Sequence, residues 1–210
     1  MGAAPVSGMF LSDDFNGTAD ADLTTGTTET PVAGTWTEHP SSTGAVVFST
    51  AGTAIRSSTV PAYYTADVDP ADADYSVTAV FKSLTAVNNS AITRIAGRFN
   101  TATVDGYAFG FTGNGNGAGK GIWRLAVYNA GTPTTLGSSS EVTLVAGTSY
   151  TLVLTMSGST ISATVGGVHI TGSPFTDSSV SAAGRAGVVF VSVAGGGATG
   201  THIESIQADN

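Results

Sequence analysis

Residues 112–121 read T-G-N-G-N-G-A-G-K-G, and five glycines with a lysine in ten residues raise the question of a phosphate cradle. The letters answer it. Counting back from Gly119-Lys120, the first glycine of a G-x-x-x-x-G-K-[ST] loop falls on Asn114, and its closing hydroxyl falls on Gly121. Such cradles also open a helix whose N-terminal amides face the anion, whereas this loop runs into I-W-R-L-A-V-Y, a β-type run. The reading is a hairpin connection with many positive-φ positions, mobile in the isolated chain and ordered by a partner.

Carboxylates offer two further chemistries. Glycoside hydrolysis needs an acid and a base or nucleophile about 5–9.5 Å apart, but Glu29, Glu38, Glu141 and Glu204 stand far from one another in the sequence. No strand-like run carries a Glu/Asp pair two residues apart. In T-A-D-V-D-P-A-D-A-D, the alternating Asp67, Asp69, Asp72 and Asp74 suit a calcium ion, which takes about six to eight oxygens. The glycine and terminal glutamate of an EF-hand are missing, so the primary reading is a solvated acidic turn, with calcium at these four residues as the alternative. His39, His169 and His202 have no metal-ligand spacing. His202 and Glu204 lie two apart on one strand, close enough for a hydrogen bond. No G-x-S-x-G elbow marks a nucleophile.

Arginine interleaved with aromatics is the remaining pattern, and strands must place it. Short runs rich in β-branched and aromatic residues recur at 75–82, 91–99, 106–112, 122–128, 150–156, 159–165, 185–193 and 202–208. Tight turns are expected at Ser157-Gly158 and at Gly166-Gly167. Alternation then assigns faces. Trp123, Leu125 and Val127 oppose Ile122, Arg124, Ala126 and Tyr128; Thr93, Ile95, Gly97 and Phe99 oppose Ile92, Arg94, Ala96 and Arg98. The apolar faces meet in a core, and Arg94, Arg98 and Arg124 look outward. Tyr107 heads the aromatic stripe Tyr107, Phe109, Phe111, and Trp123 follows the glycine loop. Sugars stack on aromatics and bond to planar side chains, so Arg94, Arg98, Tyr107, Trp123 and Arg124 are the candidate contacts with a glycan or a partner. The competing reading puts the aromatics in the core.

The order D-D-F-N-G, a tryptophan about twenty residues on, D-Y-S-V-T-A-V-F, A-G-R-F-N, D-G-Y-A-F-G-F, W-R-L-A-V-Y-N-A-G-T-P-T-T-L-G-S-S and Y-T-L-V-L-T-M-S-G-S-T-I-S-A-T-V-G-G-V-H-I resembles the concanavalin A-like lectin/glucanase superfamily in its laminin-G-like branch. The resemblance spans nearly the whole chain. It implies one domain, residues 1–210, built as a two-sheet antiparallel jelly-roll β-sandwich with its first and last strands adjacent. A low-complexity surface loop is expected at about 17–34. Relatives often carry a concave-face arginine where Arg98 stands. The superfamily includes lectins and glycan hydrolases, and its enzymes place paired glutamates at alternate positions of one strand; that signature is missing here, so a non-catalytic protein is expected.

Composition narrows the partners. A net charge of −8 with seven cationic residues disfavours nucleic acid and anionic membranes. With no cysteine there is no disulfide framework. Charged residues make up only 10% of the chain, against about 25% in ordinary domains. The expected function is a non-catalytic surface or structural module: a phage virion component, such as a capsid decoration or tail protein, that contacts glycans. It would reside on the virion surface, made without a signal peptide and packed against itself or other virion subunits as a homo-oligomer. The alternative is an extracellular carbohydrate-binding module or lectin, and the weakest reading is a glycan hydrolase whose carboxylates come from separate strands. No cofactor other than the calcium alternative is expected.

Overall fold

Alternation along the chain becomes alternation of burial. In Y-S-V-T-A-V-F-K-S every second residue is buried, as a strand with one face on a core requires. The computed structural model describes residues 8–26, 34–49, 52, 54–58, 60–84, 90–192 and 200–210; Glu29 and part of the 17–34 stretch lie outside them. The first described strands are β1 (Met9–Asp13), β2 (Trp36–Glu38), β3 (Val46–Phe48), β4 (Ile55–Ser57) and β5 (Ala62–Ala66). Longer ones follow: β6 (Tyr75–Ser83), β7 (Ile92–Phe99), β8 (Gly106–Gly113) and β9 (Lys120–Asn129). Then come β10 (Thr132–Ser138), β11 (Val142–Thr143), β12 (Ser149–Ser157) and β13 (Thr160–Val165). The chain closes with β14 (Val168–His169), β15 (Phe175–Thr176), β16 (Arg185–Ser192) and β17 (Thr201–Asp209).

These strands form two antiparallel sheets, a concanavalin A-like jelly roll. One sheet runs β14-β13-β12-β6-β17-β4-β3, with β1 beside β17 and β15 beside β13. The other runs β10-β9-β8-β7-β16-β5-β2, with β11 beside β9. First and last strands are adjacent, Asp13 lying opposite Ile206. Both expected turns form: β12 and β13 close as a hairpin, and Gly166 and Gly167, at φ 57° and 80°, carry the next turn. The stretch 17–26 is more than a surface loop. Leu23 is fully buried in a single 3-10 turn capped by the Asp22 carboxylate.

Between the sheets, Phe81, Leu152, Leu154 and Met156 from one side meet Ile95, Phe109, Trp123 and Leu125 from the other. Trp123 lies edge-on to Phe81 with ring centroids 5.4 Å apart, a favoured aromatic arrangement. A second tie joins β1 to β2. The buried Asp13 carboxylate accepts Trp36 Nε1–H at 2.6 Å and the Phe15 amide at 2.7 Å. Burial holds the Asp13 carboxyl above the usual carboxylate range, although these two hydrogen bonds oppose it.

Removing that acceptor strands two donors, so Asp13→Ala lowers the unfolding free energy by about 2 kcal/mol in urea denaturation. A carboxyl whose folded pKa lies above its unfolded value stabilises most in acid and loses that contribution as pH rises through the folded value. The gap between wild type and Asp13→Ala is therefore wider near pH 3 than at pH 7.

Candidate functional site

The far face of the eight-stranded sheet is itself paved. Tyr63, Ala96, Phe99, Val104, Ala108, Ala126, Tyr128 and Val189 form a second buried apolar cluster there. Tyr63 and Phe99 stack at 6.3 Å and Tyr128 meets both edge-on, with His39 edge-on to Phe99 at 6.0 Å. Across this face the strand registers line up one row, Tyr63–Val189–Arg94–Gly110–Arg124–Ser138. Beside it runs a row of small residues, Thr65–Gly187–Ala96–Ala108–Ala126–Thr135. Over that low floor the Arg94 guanidinium reaches Tyr128 Oη at 2.8 Å, and it also donates to Thr112 Oγ1 at 2.8 Å.

Arg94 and Arg124 share the face that alternation assigned them, but Arg94 is not solvated: it is 3% exposed. Burial lowers the Arg94 pKa, and the neighbouring Arg124 charge pushes the same way, while Tyr128 opposes both. Arginine stays protonated under such a shift, so two positive charges lie close together. The structure holds seven lysines and arginines, all among the described residues. Arg56, Lys82, Arg98, Lys120 and Arg185 each pair with a carboxylate. The other two are Arg94 and Arg124.

Arg98 departs from the expected face. Its φ of +50° and the shifted register between Arg185 and Gly187 place a bulge at the end of β7. The extra residue inverts the alternation, sending Phe99 to the outer cluster and Arg98 into the end of the sandwich. There the guanidinium, 1% exposed, donates to Ala73 O, Gly158 O, Val180 O and the Asp74 carboxylate. Arg98 therefore pins loops rather than facing solvent. Tyr107 and Trp123 lie in the inter-sheet core, on the side away from Arg94 and Arg124. Burial pushes the Tyr107 hydroxyl up to about 12, with its bond to the Asp177 carboxylate at 2.7 Å acting in the same direction.

The four aspartates do not converge either. Asp67 and Asp69 both bind Arg185, Asp74 binds Arg98 and the Gly158 amide, and Asp72 accepts the Asp74 amide. Among the described residues no group of three or more His, Cys, Asp or Glu is placed to hold a metal. Arg185 and Arg98 thus engage three of the four carboxylates, and Asp72 holds a backbone amide. Glu204, at a bulge in β17, bonds Lys82 at 2.7 Å and Ser149 at 2.9 Å. The glycine loop does join β8 to β9, with Gly113 opposite Gly121. It also has a holder within the chain, because the Glu141 carboxylate accepts from the side chains of Asn114 and Asn116.

What sequence reasoning missed is the cleft beside Tyr63. Ser41, Tyr63, Thr103, Val104 and Gly131 line a space of about 430 Å3. Its wall is the β7–β8 connection, fixed locally: Asn100 Oδ1 accepts the amides of Ala102 and Thr103, and Asp105 accepts the Ala130 amide. A second cleft, of about 250 Å3, lies across that wall between Asn100, Asp105, Asn129 and Ser179. The N-x-x-x-x-D spacing of 100–105 was the available signal.

The architecture and this loop-walled end define the class, a concanavalin A-like sandwich. No family model and no curated protein matches the sequence. Solved structures do share the fold. Carbohydrate-binding module CBM66 from Bacillus subtilis superposes with a TM-score of 0.57 at 9% identity, over 83% of this chain and 95% of that one. The Emp47p carbohydrate recognition domain superposes at 0.54 with 11% identity, over 99% of each chain. A mutant Trypanosoma rangeli sialidase displaying trans-sialidase activity matches at 0.57 with 11% identity, over 99% of this chain but 31% of its own. Identities this low speak to fold alone.

Proposed function

We propose that the protein is a non-catalytic glycan-binding module whose ligand enters the cleft beside Tyr63. The observation that carries this reading is the cleft itself: a preformed concavity lined by an aromatic residue, Tyr63, and by the hydroxyl-bearing Ser41 and Thr103. Saccharides are held by that combination, an apolar face plus a few fixed hydrogen-bonding groups. The fold supports it, since CBM66 and the Emp47p recognition domain, by their names carbohydrate binders, are built the same way. Binding without turnover fits the engaged carboxylates of Glu141 and Glu204.

Titrating the protein with a broad oligosaccharide panel tests the reading. Binding of at least one oligosaccharide is expected, with a loss of tenfold or more in Ala102→Trp, which fills the cleft from an exposed wall position. No binding anywhere in the panel, or binding that Ala102→Trp leaves untouched, overturns it. We further propose a virion surface as the setting, on the strength of the lysine-poor, hydroxyl-rich composition. Its detection in purified particles by mass spectrometry supports that setting, and its absence from them removes it.

A further inference from the structure

Resting on that glycan-binding reading, we infer that the ligand is an acidic saccharide whose oxyanion substituent, carboxylate or sulfate, is clamped between Arg94 and Arg124. The argument begins with what the two side chains leave undone. A guanidinium has five N–H donors. Arg94 donates one from each terminal nitrogen, to Tyr128 and Thr112, and its buried Nε has no partner. Among the described residues the Arg124 side chain has no hydrogen-bond or ion-pair partner, and its Nε is buried too.

Buried donors are nearly always satisfied, and a buried charge is normally paired. Among the described residues Arg94 and Arg124 are the two lysine or arginine side chains without a carboxylate partner, and they are neighbours on one face of a molecule of net charge −8 whose other five all have one. Acidic residues outnumber basic ones fifteen to seven, so an available counter-charge is not what this chain lacks. The geometry suits an exogenous oxyanion. In register, Arg94 and Arg124 flank Gly110, which places no side chain between them. Two forks separated by a glycine can grip a carboxylate or sulfate through parallel charge-assisted bonds. Tyr63 lies in the same cross-strand row and also lines the cleft, so one oligosaccharide can place a residue in the cleft and an acidic substituent over the arginines.

The test is calorimetric titration of the full chain with oligogalacturonate, sulfated chondroitin oligosaccharides and neutral arabino-, manno- and gluco-oligosaccharides of matched length. At least one acidic series is expected to bind ten or more times tighter than the neutral ones. That preference should fall tenfold or more in Arg124→Gln and in Arg94→Gln, with Arg124→Lys recovering only part of it. Preference for galacturonate or for the sulfated series identifies the oxyanion. Arg124→Gln breaks no side-chain bond among the described residues and should melt like the wild type; if either variant fails to fold, the wild-type preference alone decides. Neutral oligosaccharides binding as tightly as acidic ones, or an acidic preference that survives both variants, overturns the inference while the glycan-binding reading stands. Failure of every series to bind overturns both.

Discussion

Replacing Arg98 by methionine lowers the unfolding free energy by about 3–5 kcal/mol, the range for deleting one partner of a buried charged network. Most of that loss comes from carbonyls rather than from the ion pair. Asp74 is half exposed, its side chain 53% accessible, so its Coulombic link to Arg98 is screened and worth little. The carbonyls of Ala73, Gly158 and Val180 lose a common donor that water at a loop-crowded end replaces poorly. Methionine keeps much of the apolar stem, which isolates the polar contribution. Asp74→Asn keeps an acceptor for Arg98 and for the Gly158 amide, and is expected to cost about 1 kcal/mol or less. Urea denaturation of the pair checks the order; equal losses would show that the ion pair dominates. The 250 Å3 cleft should suffer with the fold, because Arg98 and Val180 both line it.

That arginine also marks where sequence reasoning stops. Alternation placed Trp123, Leu125 and Val127 in the core and Arg124 on the opposite face, and the structure agrees, because β9 keeps its period from Gly121 to Tyr128 through its pairing with β8. It placed Arg98 with Arg94 and failed, because one extra residue at φ +50° reverses every face beyond it. Nothing in A-G-R-F-N announces that bulge. The ion pairs of the aspartates, read as a solvated acidic turn with calcium as the alternative, were hidden for a different reason. Their partner Arg185 lies 116 residues from Asp69, and no local pattern reveals a contact across such a separation. Edge strands such as β10, T-P-T-T-L-G-S, were hidden because an exposed edge strand needs little apolar alternation. Of the candidate site, the shared face of Arg94 and Arg124 was legible, whereas their unpaired state was not, since it depends on where every carboxylate in the fold is already engaged.

Gly110→Ala carries the second large effect, because the residue between the two arginines has no room for a side chain. A Cβ there would stand 2.2 Å from Thr93 O and 2.7 Å from Arg94 Cα, and both are backbone atoms. Relief requires moving β7 away from β8, the strands that carry Arg94 and its Thr112 partner. Overpacking of this kind costs about 1–3 kcal/mol when side chains absorb it, and backbone contacts put Gly110→Ala at or above the upper end. Gly97 supplies the contrast. Its added Cβ would meet the Met156 side-chain tip, 2.4 Å from Cε, and a methionine can swing aside. Gly97→Ala should therefore cost less than about 1.5 kcal/mol in the same denaturation series. The two variants also separate stability from recognition. If Arg94 and Arg124 act together across Gly110, the alanine that spreads their strands lowers affinity for an acidic oligosaccharide tenfold or more at temperatures where the protein remains folded. The alanine at Gly97 faces the core and leaves that affinity unchanged. Equal binding by both variants would mean that the spacing of the two guanidinium groups does not matter.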